Sequence, residues 1–167
     1  MSLALAASPH LQSQSTSDQD KHFVTMAIEG NNDEISLAKL AQEKGSSNDV
    51  KQFAQKMIND HTKMGEEMSQ VAQQIGVSPP SGTSMDEKAV ATKLRILSGA
   101  SFDKAYIQEM VKDHREDLDA FNKEAANGSN PAVKDAARSG AKVISSHLKL
   151  AVQIAANNGI NVSEMSQ

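Results

Sequence analysis

Residues Asn48–Ile75 read NDVKQFAQKMINDHTKMGEEMSQVAQQI. Apolar side chains recur there at alternating steps of four and three, as Val50, Ala54, Met57, Met64, Met68, Val71 and Ile75, and His61 takes the remaining place on the stripe. Such spacing returns side chains to one face of an α-helix, so the stretch predicts a helix with one side turned to a core. A histidine at the centre of that side needs a partner, because burying a polar group without one is costly.

The pattern occurs three more times. One stripe is Phe23, Ala27, Gly30, Glu34, Leu37, Ala41; another is Ile107, Met110, His114, Asp117 or Leu118, Phe121, Ala125. The last is Val133, Ala137, Gly140, Ile144, His147, Ala151, Ile154. Each carries a metal-competent side chain near its middle. For helices over 20–43, 48–75, 101–126 and 131–157, a rise of about 1.5 Å per residue puts Glu34, His61, His114 and His147 within roughly 5 Å of one level. Small residues on the stripes, Ala27, Gly30, Ala54, Ala137, Gly140 and Ala151, predict close helix approach.

Gly45-Ser46-Ser47-Asn48 and Asn127-Gly128-Ser129-Asn130-Pro131 are short breaks that suit antiparallel helical hairpins. Between the pairs, Gly76-Val77-Ser78-Pro79-Pro80-Ser81-Gly82 leads to a weaker helical stretch from Ser84 to Leu97, where Ser84 and Glu87 have capping-box spacing. A connection of that length suits a crossover running along a bundle. The expected fold is therefore all-α: a four-helix bundle of two antiparallel hairpins joined by a long crossover. It divides into a disordered N-terminal tail over 1–20, the bundle over 21–157 and a C-terminal tail over 158–167. The hairpins also echo each other: Gly45–Ala54 aligns with Gly128–Ala137 at an offset of 83, which sets Glu34 against Asp117 and His61 against Ile144. Met57–His61 and Met110–His114 form a second echo, at an offset of 53.

Composition narrows the chemistry. The chain has 167 residues, a net charge of −4 and no basic run, which argues against a nucleic-acid partner. There is no cysteine, so thiolate ligands, thiol catalysis and disulfides are excluded. No apolar run is long enough to span a membrane. Met1–Ser8 reads either as the stub of a signal peptide or as an ordinary tail. Serines are frequent, but none sits in a nucleophile elbow, and there is no glycine-rich phosphate loop.

Imidazole and carboxylate together suit a transition metal. His114 and Asp117 are spaced to share a helix face. With Glu34, His61 and His147 they make a candidate site for one divalent transition-metal ion. The di-iron pattern of ferritin-like enzymes needs Glu-x-x-His on two helices, and this chain has none, so ferroxidase or oxygenase chemistry is disfavoured and a non-catalytic protein is favoured. A metal-free reading stands beside it: core histidines hydrogen-bonded to carboxylates such as Asp60 or Asp113, fixing helix register. Met57, Met64, Met68 and Met110 flank the histidines and read as Cu(I) donors or, more simply, as core filler. Phe102 and Tyr106 read as a packing pair, and His10 and His22 as outside the core. An interaction module would need an exposed apolar patch, for which the crossover residues Ala89, Val90, Leu94, Ile96 and Leu97 are the best placed.

Several segments together resemble a bacterial ferritin-like family of unknown function, whose members are described as outer-membrane or exported proteins. They are Glu34–Ala41, Val50–Met57 leading to Asp60-His61, Leu97–Tyr106, His114 and His147-Leu148, covering about residues 20–155 in order. The resemblance implies a ferritin-like four-helix bundle, export of the parent protein to the periplasm or cell envelope, and no established activity. One departure is visible. Where that family has a Leu-Pro pair before its last histidine, this chain has Ala141-Lys142, which allows a straighter final helix.

Overall fold

The computed structural model describes residues 15–163. Among these residues there are five helices and no strand: α1 (Asp18–Lys44), α2 (Asn48–Gln74), α3 (Met85–Arg95), α4 (Gly99–Asn127) and α5 (Pro131–Asn157). α1 packs along α2 and α4 along α5; the pairs meet through α2 with α5 and α1 with α4, and α3 lies against α1 and α4. No helix among the described residues is long and apolar enough to cross a membrane. The expectations for Met1–Ser8 and His10, and those for the tails over 1–14 and 164–167, fall outside the described residues.

Side-chain caps explain where four of the five helices begin; α4 has none. α1 starts at Asp18 because Ser17 accepts from the Asp20 amide while Asp20 accepts from the Ser17 amide, a reciprocal capping box. The box expected at α3 is only half made. Ser84 Oγ accepts from the Glu87 amide at 3.0 Å, but the Glu87 carboxylate accepts from Ser36 Oγ at 2.7 Å instead. The Ser84 amide donates to Asp33 Oδ1 at 2.8 Å, so the crossover is tied to α1 at both points. In α5 nothing breaks the helix at Ala141-Lys142, and it runs straight through to Asn157.

The 83-residue echo extends well beyond the two loops. Asp20 of α1 accepts from the amides of Ser129 and Asn130, at 2.9 and 3.3 Å, in the loop of the other hairpin. Asp103 of α4 accepts from the amides of Ser46 and Ser47, at 2.9 and 2.8 Å, in the loop of the first. Every residue in one clasp lies 83 positions from its counterpart in the other. The helix ends repeat as well. Gly76 (φ 73°) lets the Val77 amide donate to Ala72 O at 2.8 Å, and Gly159 (φ 62°) lets the Ile160 amide donate to Ala155 O at 2.8 Å. The two hairpins are thus two copies of one unit, each holding the other's turn.

The apolar core is split in two. One cluster contains Phe53, Met57, Phe102, Tyr106, Ile107 and Met110; the other contains Phe23, Val24, Met64, Phe121, Val133 and Ile144. Between them along every long helix sits a buried polar residue: Glu34, His61, His114 or His147. Met57 and Ile144, both expected inside, are buried. The small-residue expectation holds at Gly140 and fails at Gly30. A Cβ on Gly140 would lie 2.4 Å from the Phe121 ring, whereas one on Gly30 would meet nothing within 4 Å. No apolar patch assembles on the crossover, because Leu94 is buried and Val90 and Leu97 pack on the core; only Met85 and Ile96, at its two ends, are strongly exposed.

Candidate metal centre

Three helices bring three imidazoles together. His61 from α2, His114 from α4 and His147 from α5 are all buried, with ligand-competent atoms within 4.8 Å of one another. Their ring centroids form a nearly equilateral triangle with sides of 5.7, 5.2 and 5.5 Å. Among the described residues this is the one group of three such side chains that converges so closely.

Hydrogen bonds orient two of the rings and assign their protons. Asn31 Nδ2 donates to Ala27 O at 2.8 Å, which leaves Asn31 Oδ1 to accept from His61 Nδ1–H at 2.8 Å. His61 Nε2 then carries a lone pair, and this buried atom has no hydrogen-bond partner. His147 Nε2–H donates to Asp60 Oδ2 at 2.9 Å, and Lys56 holds the same oxygen at 2.7 Å. Its Nδ1 is left buried and unpartnered, with the lone pair free. Neither nitrogen of His114 has a hydrogen-bond partner, and Nδ1 lies 3.4 Å from Glu34 Oε1. A metal-bound histidine usually donates its second N–H to a carboxylate or carbonyl. His61 and His147 already have that arrangement.

Burial sets the charge of this layer. It pushes the histidines down: His114 to about 3, and His61 and His147 below the ordinary imidazole value, with Asp60 partly opposing the shift at His147. Burial, reinforced by Asp113 and Asp117, holds the Glu34 carboxyl well above the usual range. At neutral pH the three imidazoles are therefore neutral, and burial opposes ionisation of the Glu34 carboxyl beside them. Asp117 is raised to about 6 by burial and by Glu116 and Asp33.

Of the five residues singled out in the sequence, His61, His114 and His147 form the triad. Glu34 touches it only at His114, and Asp117 is not among the converging donors. Asp117 instead lines a small cavity with His61, Asn31 and Gly30. Asp60 partners a histidine of the neighbouring hairpin, and Asp113 pairs with Lys112 at 3.2 Å. His22 is exposed. His147 has a carboxylate partner in Asp60 and His61 an amide partner in Asn31, while the three rings bring ligand-competent atoms within 4.8 Å of one another. Asn31 was missed. It lies off the stripe, but the repeat could have found it, since it stands 83 residues before His114.

The fold is that of DUF305 proteins. The chain superposes on a DUF305 fragment from Deinococcus radiodurans with a TM-score of 0.76 at 14% identity, covering 85% of this chain and 98% of that one. A DUF305 protein from Streptomyces coelicolor, named as a secreted protein, gives 0.73 at 16% identity, with 86% and 95% covered. CopM in its Cu(I)-bound form gives 0.68 at 24% identity, with 83% and 96% covered; CopM has also been solved in Cu(II)-bound, Ag-bound and apo forms. No curated protein matches the chain. Residues 5–154 match the DUF4142 family, a domain of unknown function, and the chain belongs to that family.

Proposed function

We propose that this protein binds a single transition-metal ion, Cu(I), at the centre of its four long helices through His61, His114 and His147. The observation that carries the reading is the set of three buried imidazoles, each with an unpartnered nitrogen, whose ligand-competent atoms lie within 4.8 Å of one another. Unsatisfied buried nitrogens are costly, and a metal ion would satisfy all three at once. Three neutral nitrogens, with no fourth His, Asp or Glu converging on them among the described residues, suit Cu(I), a d10 ion that accepts three-coordination. Zn(II) ordinarily takes four ligands and Cu(II) a tetragonal set. A monovalent ion also brings less charge into a buried cluster of three neutral imidazoles. The Cu(I)- and Ag-bound forms of CopM, a protein of similar fold, support this choice. Glu34 and Asp117 complete the proposed site as outer residues, Glu34 beside His114 and Asp117 at the cavity below His61.

The reading extends to the protein's setting. Inward ligands at one level of a helical bundle are also how ferritin-like bundles hold metal, and that likeness supports reading the chain as ferritin-like. Export to the periplasm or cell envelope follows from the secreted name of the Streptomyces relative. The role is binding rather than catalysis.

Cu(I) titration of untagged protein against a chromophoric chelator, under reducing conditions, tests the reading. One equivalent should be withdrawn by the wild-type chain and none by His61→Ala or His147→Ala, while His22→Ala should behave as wild type. Equal binding by His61→Ala would overturn it. The structural alternative, supported by the His147–Asp60 and His61–Asn31 bonds, expects no binding in any of the four proteins.

A further inference from the structure

A cleft of about 430 Å³ opens between α1, α3 and α4, and nine of its fifteen lining residues are Asp or Glu. Lys112 is the one basic residue among them. The whole chain has 21 acids against 17 basic residues, so this is a local concentration of charge rather than the average surface. At its floor lies Glu34, 4% exposed, with Oε2 unpartnered and Oε1 3.4 Å from His114 Nδ1. Met26, Gly30 and Asp117 line both this cleft and a chamber of about 40 Å³ that reaches His61. The missing side chain at Gly30 keeps the lip between them open.

We infer that this cleft is the route by which a cation reaches the histidine triad, with Glu34 as the positioning residue at its inner end. The inference rests on the metal-binding reading above. A cleft lined by one sign of charge raises the local concentration of the opposite ion and speeds its association. The cleft collects the ion without holding it, because no three of its carboxylates come together as the histidines do among the described residues. Glu34 lines the cleft and also reaches the triad, at His114. A groove between α1 and α2 also reaches His61, but Glu66 is its sole acidic residue, so it has no comparable attraction for a cation.

Ag(I) binding followed by stopped-flow fluorescence of Tyr106 tests this, since the chain has one tyrosine and no tryptophan and that ring lies in the core beside Phe53. Wild-type association should slow steeply as ionic strength rises. The triple change Asp86→Asn, Glu109→Gln, Glu116→Gln should slow it about tenfold at low salt and flatten that dependence, as loss of steering does. Neutralising Glu66 and Glu67 should leave the rate unchanged. Gly30→Leu, which fills the lip, should slow association and dissociation by the same factor and leave the dissociation constant unaltered. Glu34→Gln should slow association while one equivalent still binds. Wild-type rates in the triple variant and in Gly30→Leu would overturn the route while leaving the site intact. No Ag(I) binding by the wild-type chain would instead sink the metal-binding reading itself.

Discussion

The two hairpins share a frame and differ at its centre. Asp20 and Asp103 hold equivalent loops, and Gly76 and Gly159 end equivalent helices, each pair 83 residues apart. In the polar layer the same offset pairs Asn31 with His114, Glu34 with Asp117, His61 with Ile144, and Met64 with His147. Only Glu34 and Asp117 keep a common chemistry, and neither is among the converging donors; the other three pairs are unlike. Repetition is kept where a buried backbone amide must be satisfied, which any copy of the fold requires. It is lost where three donors must meet at one point, because a two-fold frame cannot supply three equivalent ligands. In this account the first hairpin gives one ligand and the Asn31 that orients it, and the second gives two.

Making the halves alike should break the centre first. His114→Asn installs the residue that its counterpart Asn31 carries. Cu(I) affinity, measured by chelator competition, should fall about 100-fold or more, because loss even of an outer partner costs 10–100-fold. The fold should survive, since the counterpart Asn31 is itself buried within a long helix.

The same variant should alter the acid response of the metal-free protein. His114 titrates near 3 when folded but at 6.5 in an unfolded chain, so between those values the unfolded state binds the extra proton. Stability falls on acidification through that window, by about 1.4 kcal/mol per pH unit from this group, and is insensitive to it above pH 6.5. Asp117 and Asp113, raised to about 6 and 7 chiefly by burial, act in the opposite sense and remove stability as pH rises from about 4 toward those values. Urea unfolding from pH 4 to 8 should show an acid limb that flattens in His114→Asn. Asp113→Asn with Asp117→Asn should change the slope over the same pH range in the opposite sense, making stability rise more steeply with pH.

The shared frame can be tested at its two clasps. Asp20→Ala strands two loop amides and the Ser17 cap, and should cost about 2–4 kcal/mol in chemical denaturation. Burial opposes the ionisation of Asp20, yet the hydrogen bonds from Ser17, Asn130 and Ser129 hold it down to about 2. Asp103→Ala should cost somewhat less, because Asp103 holds its loop without also capping its own helix. Equal behaviour of wild type and both variants would deny the clasps any role.

Two glycines give the smallest effects, with opposite signs. Gly140→Ala forces a methyl group against the Phe121 ring, itself held edge-on by Phe23 at 4.9 Å, and should destabilise by about 1–3 kcal/mol. Gly30→Ala has open space and a helical backbone, and should raise stability by about 0.5–1 kcal/mol. Thermal melts of the metal-free variants separate the two.

Much of this was legible in the sequence, for physical reasons. A period near 3.6 identifies a buried face without knowledge of the neighbours, so the stripes and the level of the histidines could be read from spacing alone. Which donors converge could not. Glu34 and Asp117 lie on or beside their stripes, but the rotation of each helix and the side-chain rotamers decide whether an oxygen reaches the centre. Gly30 misled for a related reason: a small residue on a stripe permits close approach but does not compel it, and α1 and α4 part there to form the cleft. Glu87 had capping-box spacing, yet a hydroxyl on another helix, that of Ser36, competed for its carboxylate.

The most direct test is X-ray absorption at the copper edge of protein loaded with one equivalent of Cu(I). The account predicts a three-coordinate centre with imidazole nitrogens only, reduced to two in His147→Ala if any copper is retained. Sulfur scattering from Met57, Met64 or Met110, or a spectrum unchanged by removing His61, His114 or His147, would contradict it.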